Sequence, residues 1–279
     1  MIVREPALPV DPRMPGEPTV LEVGSARLWL GRRGVLVWLP TRLLALRIGA
    51  RRFGLSPQSE PAVIVAAVLV PFFLPFVVEM DLPGRGAGLV LLFAVVHVLR
   101  WRRMQRRERP AEHLTAPGAP PALRAAARQV GWWYLGSTAL TFGGGAVLCA
   151  ASFLTRPRFT WKHWYPPAVE IGMHTFALAV GAGATALVLG RALRAPVIAE
   201  DEASRMVDEV LRAEDVYRFA PCAVYALPAL PVFVVDWAIP GWLGWSALAY
   251  LVTAVLLQLV GWADVRRRYR RLPLGFYGR

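Results

Sequence analysis

Six stretches of this chain are apolar for roughly 20 residues each, the length a helix needs to cross about 30 Å of hydrocarbon, and arginine-rich segments separate them. They fall at about 62–80, 83–99, 130–154, 168–190, 219–238 and 241–262. Inside hydrocarbon every backbone N–H and C=O must be satisfied within its own segment or in a closed barrel, and segments of this length select helices. The expectation is therefore all-α: a polytopic transmembrane bundle of six spans over 62–262. The second stretch is the shortest, strongly apolar only from Gly88 to Leu99. Some sixty residues precede the first, too many for a secretory signal, so no cleavable leader is expected. Charge is sparse for a soluble domain, 18% against about a quarter, while 56% of residues are hydrophobic.

The charge that is present comes in blocks. FAVVHVLRWRRMQRRERP, residues 93–110, is apolar to Leu99 and then places six arginines in ten residues. Lys and Arg collect in cytoplasmic loops. Residues 1–61 hold nine of them, 100–129 eight, 191–218 five and 263–279 six, against four in all the intervening connections. This asymmetry predicts N-in and C-in topology in the cytoplasmic membrane, with arginines against an anionic inner leaflet. Nine of eleven tryptophans, among them Trp101, Trp132, Trp133 and Trp262, fall at span ends, where amphipathic rings favour the headgroup level. A nucleic-acid role for the basic run is set aside, because RRRYRR at 266–271 repeats the same apolar-to-basic arrangement after the sixth span.

Outside the spans, residues 1–18 carry proline at 6, 9, 12, 15 and 18, a three-residue period that predicts an extended tail. Residues 19–61 form a basic juxtamembrane segment, and 263–279 a basic tail. VLEVGSARLWLGRRGVLVWL has two β-rich runs around GRRG and resembles a small hairpin. TRLLALRIGARRF reads as a basic amphipathic segment on the inner leaflet. AEDEASRMVDEVLRAEDVYRF, in the 191–218 loop, begins acidic and repeats Ala203, Met206, Val207, Val210 and Ala213 at helical spacing. Its acids outnumber its arginines, so it is expected to pack on the chain's own basic loops or, through Met206, Val207, Asp208, Glu209 and Val210, on a cytosolic partner.

With this acidic helix lying between spans, the chain resembles the uncharacterised six-span integral membrane proteins of GC-rich Gram-positive bacteria. They carry a similar D-E-x-x-R-x-V-D-E-x-L-R-A segment. The resemblance implies a location and no activity. A fainter internal echo aligns ALRAAARQVGWWY at 122–134 with VLRAEDVYRFAPC at 210–222, 88 residues apart.

Candidate chemistry is thin. Glu170 and His174, four apart, share a helix face, and with Glu79, Asp236 and the nearby Asp81 they define a candidate polar or ion site toward the outer side. The two cysteines, Cys149 and Cys222, are expected to lie about 20 Å apart in depth and to stay unpaired. Helix breakers mark the middle of the outward-running spans: Pro71 and Pro75, then Gly143, Gly144 and Gly145, then Pro228 and Pro231. Such breaks occur at transporter binding sites. Ala177, Gly181 and Thr185 give the fourth span a small face for close helix contact. No HExxH, GxSxG, Walker A or CxxC pattern is present. No cofactor is expected. Three functional expectations follow: a permease-like or membrane-subunit component with a cytosolic partner, a non-catalytic scaffold or regulator, and an intramembrane enzyme using Glu170 and His174.

Overall fold

The computed structural model describes residues 17–52, 85–115, 118–119, 122–155, 167–229 and 241–279. These residues are helical, and the only β-type pairings among them are two isolated antiparallel bridges, Pro40 with Gly278 and Gly118 with Val197.

The N-terminal helix α1, Val20–Gly31, replaces the expected hairpin. A reciprocal capping box starts it: the Glu22 amide donates to Thr19 Oγ1 at 3.1 Å, and the Thr19 amide donates to Glu22 Oε2 at 2.6 Å. Ala26, Trp29 and Leu30, at spacings of three and one, bury the face turned to the next helix. A strand would have alternated them, so capping and tertiary burial override β propensity here. Helix α2, Arg42–Arg52, is also unlike its expectation. Leu43 to Arg51 is buried throughout, so α2 is an interior helix and not a surface one lying on a leaflet.

Next come α3, Arg85–Glu112, and the short α4, Leu123–Val130. Gly131, at φ +90°, separates α4 from α5, Trp132–Ala139, which passes through a π-helical turn, Leu140–Gly144, into α6, Gly145–Thr155. Helix α7 is Pro167–Arg194, α8 is Glu202–Phe219, a 3-10 turn covers Cys222–Ala226, and α9 is Gly241–Arg268.

Three helices are long and apolar enough to cross a membrane: Trp132–Thr155, Ile171–Arg194 and Gly241–Arg268. They coincide with the expected third, fourth and sixth spans. Only 28% of each apolar window is buried, so Val147, Leu154, Phe176 and Leu256 stand outward as an open greasy surface. A soluble monomer rarely leaves so much exposed. The expected second span is the first half of α3, which continues as helix through the arginines to Glu112 instead of ending at Leu99. The expected fifth span does not run straight on from Phe219, because Pro221 has no N–H to continue α8. Expected span 62–80 and residues 230–238 lie outside the described residues.

Inside the bundle, α3 packs on α7, and Val90, Phe93, Leu178, Tyr225, Leu243 and Tyr250 belong to one buried cluster. The small face of α7 behaves as expected: Ala177 and Thr185 are buried, and a Cβ on Gly181 would stand 3.0 Å from Tyr225. The π turn occupies the expected Gly143–Gly145 break. The Thr141 carbonyl, which also accepts from the Gly145 amide, accepts from the Tyr250 hydroxyl at 2.6 Å, and Gly144 and Gly145 give that ring room. The two segments of the LRA echo meet at a second joint. Tyr217 of α8 donates to the Val130 carbonyl at 3.1 Å, where α4 breaks. Tyr134 of α5 donates to the Ala220 carbonyl at 2.6 Å, where α8 breaks. The two rings meet edge to face at 5.0 Å.

Gly261 of α9 closes against this joint, where a Cβ would collide with the Tyr217 hydroxyl and lie 3.0 Å from Trp133 Cβ and 3.3 Å from the Tyr134 amide. Gly261→Ala is therefore expected to destabilise the protein by about 1–3 kcal/mol, since backbone must move. Gly24→Ala, in open space on α1, should be stabilising by about 0.5–1 kcal/mol. Thermal unfolding in detergent checks the pair, and equal melting points for both variants would contradict this packing.

Candidate functional site

At the arginine-rich end of the bundle, α2 supplies two guanidinium groups one turn apart, Arg47 and Arg51, both nearly excluded from solvent. Helix α8 answers with Asp208, Arg212 and Asp215, spaced four and three apart on one face. The far end of α3 contributes Glu108, the one acid inside its run of arginines. Arg51 donates from Nε and Nη2 to Asp215, at 2.9 and 2.6 Å, and from Nη1 to Glu108 at 2.9 Å. Arg47 donates from Nε to Glu108 at 2.8 Å and pairs through Nη2 with Asp208 at 2.6 Å. Arg212 donates from Nε to the other Asp208 oxygen at 2.7 Å, and its Nη atoms donate to the Ala195 and Pro196 carbonyls just past α7.

Three arginines thus meet three carboxylates, and one network ties α2, the end of α3, the exit of α7 and α8 together. Burial works against the Glu108 charge, but the Arg51 and Arg47 guanidinium groups outweigh it and hold its carboxyl down to about 2. Burial likewise opposes the charge of Arg51, and Asp215 and Glu108 more than compensate, keeping it above the usual arginine range.

Beside the network lies a cavity of about 800 Å³. From α1, Arg33 lies over the Trp29 ring at 3.6 Å and forms an ion pair with Glu214 of α8, whose other oxygen accepts from the Trp29 indole N–H at 3.1 Å. Arg32 and Arg270, both exposed, line it, as do Arg100, Pro221 and Trp262, with Arg100 and Trp262 at the ends of the apolar parts of α3 and α9. Arg266 lies over Trp262 at 3.5 Å. Residues 272–279 lie alongside, with Leu39 and Arg279 exchanging backbone hydrogen bonds at 2.6 and 2.9 Å.

The residues singled out from sequence scatter. Val207, Asp208 and Val210 are buried within the chain, so they offer no outward face; Met206 and Glu209 are half-buried. His174 is buried on α7, one turn after the position of Glu170. Glu79, Asp81, Asp236, Pro71, Pro75 and Pro231 fall outside the described residues, while Pro228 is buried in the turn after the 3-10 segment. Cys149 and Cys222 are free and buried. Among the described residues no three His, Cys, Asp or Glu side chains gather to hold a metal. Reading the basic segments only as a topological signal overlooked Arg47, Arg51 and Glu108. The available signal was the four-residue spacing of the two arginines facing a helix whose acids also share one side.

Compared with known proteins, the chain matches no family model, no curated protein and no solved structure.

Glu108→Gln leaves Arg47 and Arg51 under-neutralised in the interior and is expected to cost about 3–5 kcal/mol. Asp264→Asn, which loosens an exposed pair with Arg268, should cost under about 1 kcal/mol. The ordinary Glu108 value of 4.5 falls to about 2 in the fold. Its contribution is therefore fully present above about 4.5 and is lost as pH falls toward 2. The stability gap between wild type and Glu108→Gln should narrow over that window, and a gap that is small at neutral pH or widens in acid would refute the pairing.

Proposed function

We propose that the chain is a multi-pass protein of the cytoplasmic membrane, with six spans and both termini inside, and that it acts there as a non-catalytic scaffold or regulator. The observation that carries this reading is the single arginine-rich body built from both ends of the sequence. Helices α1 and α2 and residues 272–279 meet on one side of the apolar bundle, joined at Leu39 and Arg279. Glu108 joins the C-terminal end of α3 to it, Val130 the end of α4, and Ala195 the exit of α7. A chain that keeps returning to one basic face crosses an even number of times between its ends, which agrees with the four-fifths and more of Lys and Arg assigned to that side.

Scaffolding is favoured over transport because, among the described residues, tyrosine rings fill the space beside the helix glycines. Tyr250 occupies the space beside Gly144 and Gly145, and Tyr225 that beside Gly181. The acidic helix is spent on internal pairing, so a cytosolic partner would meet the body as a whole. A permease-like subunit stands as the second reading, supported by the π turn in the middle of the Trp132–Thr155 helix, since π turns inside α-helices are frequent at functional sites.

Single cysteines test the topology in a protein whose Cys149 and Cys222 are replaced by alanine. Lys162→Cys should react with an impermeant maleimide on intact cells. Leu274→Cys, whose side chain is fully exposed, should react only after the membrane is opened. Labelling of Leu274→Cys from outside, or recovery of the chain without detergent, would overturn the reading. A Glu170→Ala, His174→Ala double variant should still complement a deletion strain; its failure while still present in the membrane would favour the enzyme reading instead.

A further inference from the structure

The 800 Å³ cavity beside the ion-pair network is lined mainly by positive charge. Arg32 and Arg33 come from just past α1, Arg51 from α2, Arg100 from α3, Arg218 from α8, and Arg266 and Arg270 from the end of α9 and just beyond, with Arg100 and Arg218 having interactions of their own; among the described residues the carboxylates in the wall are Glu214 and Asp215. Asp215 is already taken by Arg51, and Glu214 by Arg33 and the Trp29 indole. Among the described residues no carboxylate lies within ion-pair reach of Arg32 or Arg270. The Nε of Arg33 is buried without a hydrogen-bond partner, an orphan donor of the kind native interiors rarely leave.

The arginines also act on one another. Burial lowers Arg33, and the nearby Arg266 and Arg32 lower it further against the opposing pull of Glu214. Burial lowers Arg218 too, with Arg51 adding to the effect against Asp215 and Glu214. Like charges gathered in a partly desolvated hollow cost free energy in the empty protein, and a multivalent anion would recover it.

We infer that this cavity is a binding site for a phosphate-ester anion, its phosphate oxygens held by the arginine forks around Arg32, Arg33 and Arg270 and its organic portion lying toward Trp262 and Pro221. Planar guanidinium groups match phosphate geometry and bind it through paired N–H donors. The volume exceeds what a lone inorganic ion needs, and the aromatic rings of Trp29, Trp262, Tyr217 and Tyr269 in the wall offer stacking and apolar contact to whatever the phosphate is attached to. Because α3 and α9, which line the cavity through Arg100 and Trp262, run on into the apolar bundle, the phosphate could belong to a membrane lipid headgroup or to a soluble ester. The lipid source rests on the membrane reading above; the binding chemistry does not.

The test is thermal unfolding of the full chain in neutral detergent, titrated separately with inorganic pyrophosphate, with short-chain phosphatidylglycerol in mixed micelles, and with short-chain phosphatidylcholine. At least one of the two anionic probes should raise the melting temperature, since a ligand of the folded state stabilises it by mass action, and phosphatidylcholine should raise it less. A rise with phosphatidylglycerol alone assigns the lipid headgroup as the source; a rise with pyrophosphate assigns a site that a soluble phosphate can fill. Both uphold the site. An Arg32→Gln, Arg270→Gln variant, which leaves the ion-pair network intact, should need about tenfold more of the effective probe, as expected for losing charge-assisted contacts. An Arg102→Gln, Arg103→Gln variant removes the same charge from exposed positions outside the cavity and should titrate like the wild type. No rise with either anion, or equal weakening in the two double variants, overturns the proposal, the second result meaning surface charge alone. Because the pyrophosphate arm needs only a folded chain, its failure counts against the cavity and not against the membrane topology.

Discussion

Arg51 sits between two carboxylates from separate helices, Glu108 on α3 and Asp215 on α8, and the rest of the basic body depends on that sharing. An eleven-residue helix with four arginines has no business in an interior on hydrophobicity alone. Desolvating even one guanidinium costs several kcal/mol unless it is paired and its remaining donors are occupied. Here both conditions are met: three arginines face three acids, and leftover donors go to the Arg47, Ile198, Ala195 and Pro196 carbonyls. The apolar residues of α2, Leu43, Leu44, Leu46 and Ile48, can then be buried on every side because polar closure is complete around them.

That closure positions everything next to it. Pinning the ends of α3 and α7 to α8 sets the depth at which the greasy faces of the bundle begin, and it leaves Arg33, Arg100, Arg218 and Arg266 around one hollow. At the joint with α5 and α9 a different device takes over: Tyr134 and Tyr217 each bond a carbonyl exposed by a break in the other's helix. At this joint tyrosine hydroxyls from neighbouring helices satisfy the carbonyls that the breaks expose, which lets the chain bend there without stranding a backbone group. Deeper in the bundle the Tyr250 hydroxyl adds a second hydrogen bond to the Thr141 carbonyl in the π turn.

How much of this was legible in the sequence follows from the range of each interaction. Three apolar helices could be placed within a few residues, because length and hydropathy are local and Gly131 and Pro167 mark their starts. The amphipathic stripe of α8 was visible at Ala203, Val207 and Val210 for the same reason. The helix over Val20–Gly31 was misread because Val, Leu and Trp around a GRRG turn satisfy a hairpin pattern equally well; the Thr19–Glu22 capping box was the local clue that favoured helix. The burial of α2 could not be read locally at all. An arginine-rich segment looks like a surface, and only the arrival of Glu108, Asp208 and Asp215, 57 to 164 residues from the arginines they pair with, makes Arg47 and Arg51 part of a core. The cavity is likewise assembled from five helices and has no contiguous motif.

Amide hydrogen exchange in lipid nanodiscs, followed peptide by peptide, tests the internal position of α2 most directly. A network-locked interior helix should exchange over residues 43–51 as slowly as α8 does, and the two should lose protection together when Arg51 is replaced by methionine. Rapid exchange across 43–51 in the wild type, with α8 remaining protected, would mean that α2 lies free on the membrane surface and that the ion-pair body does not exist.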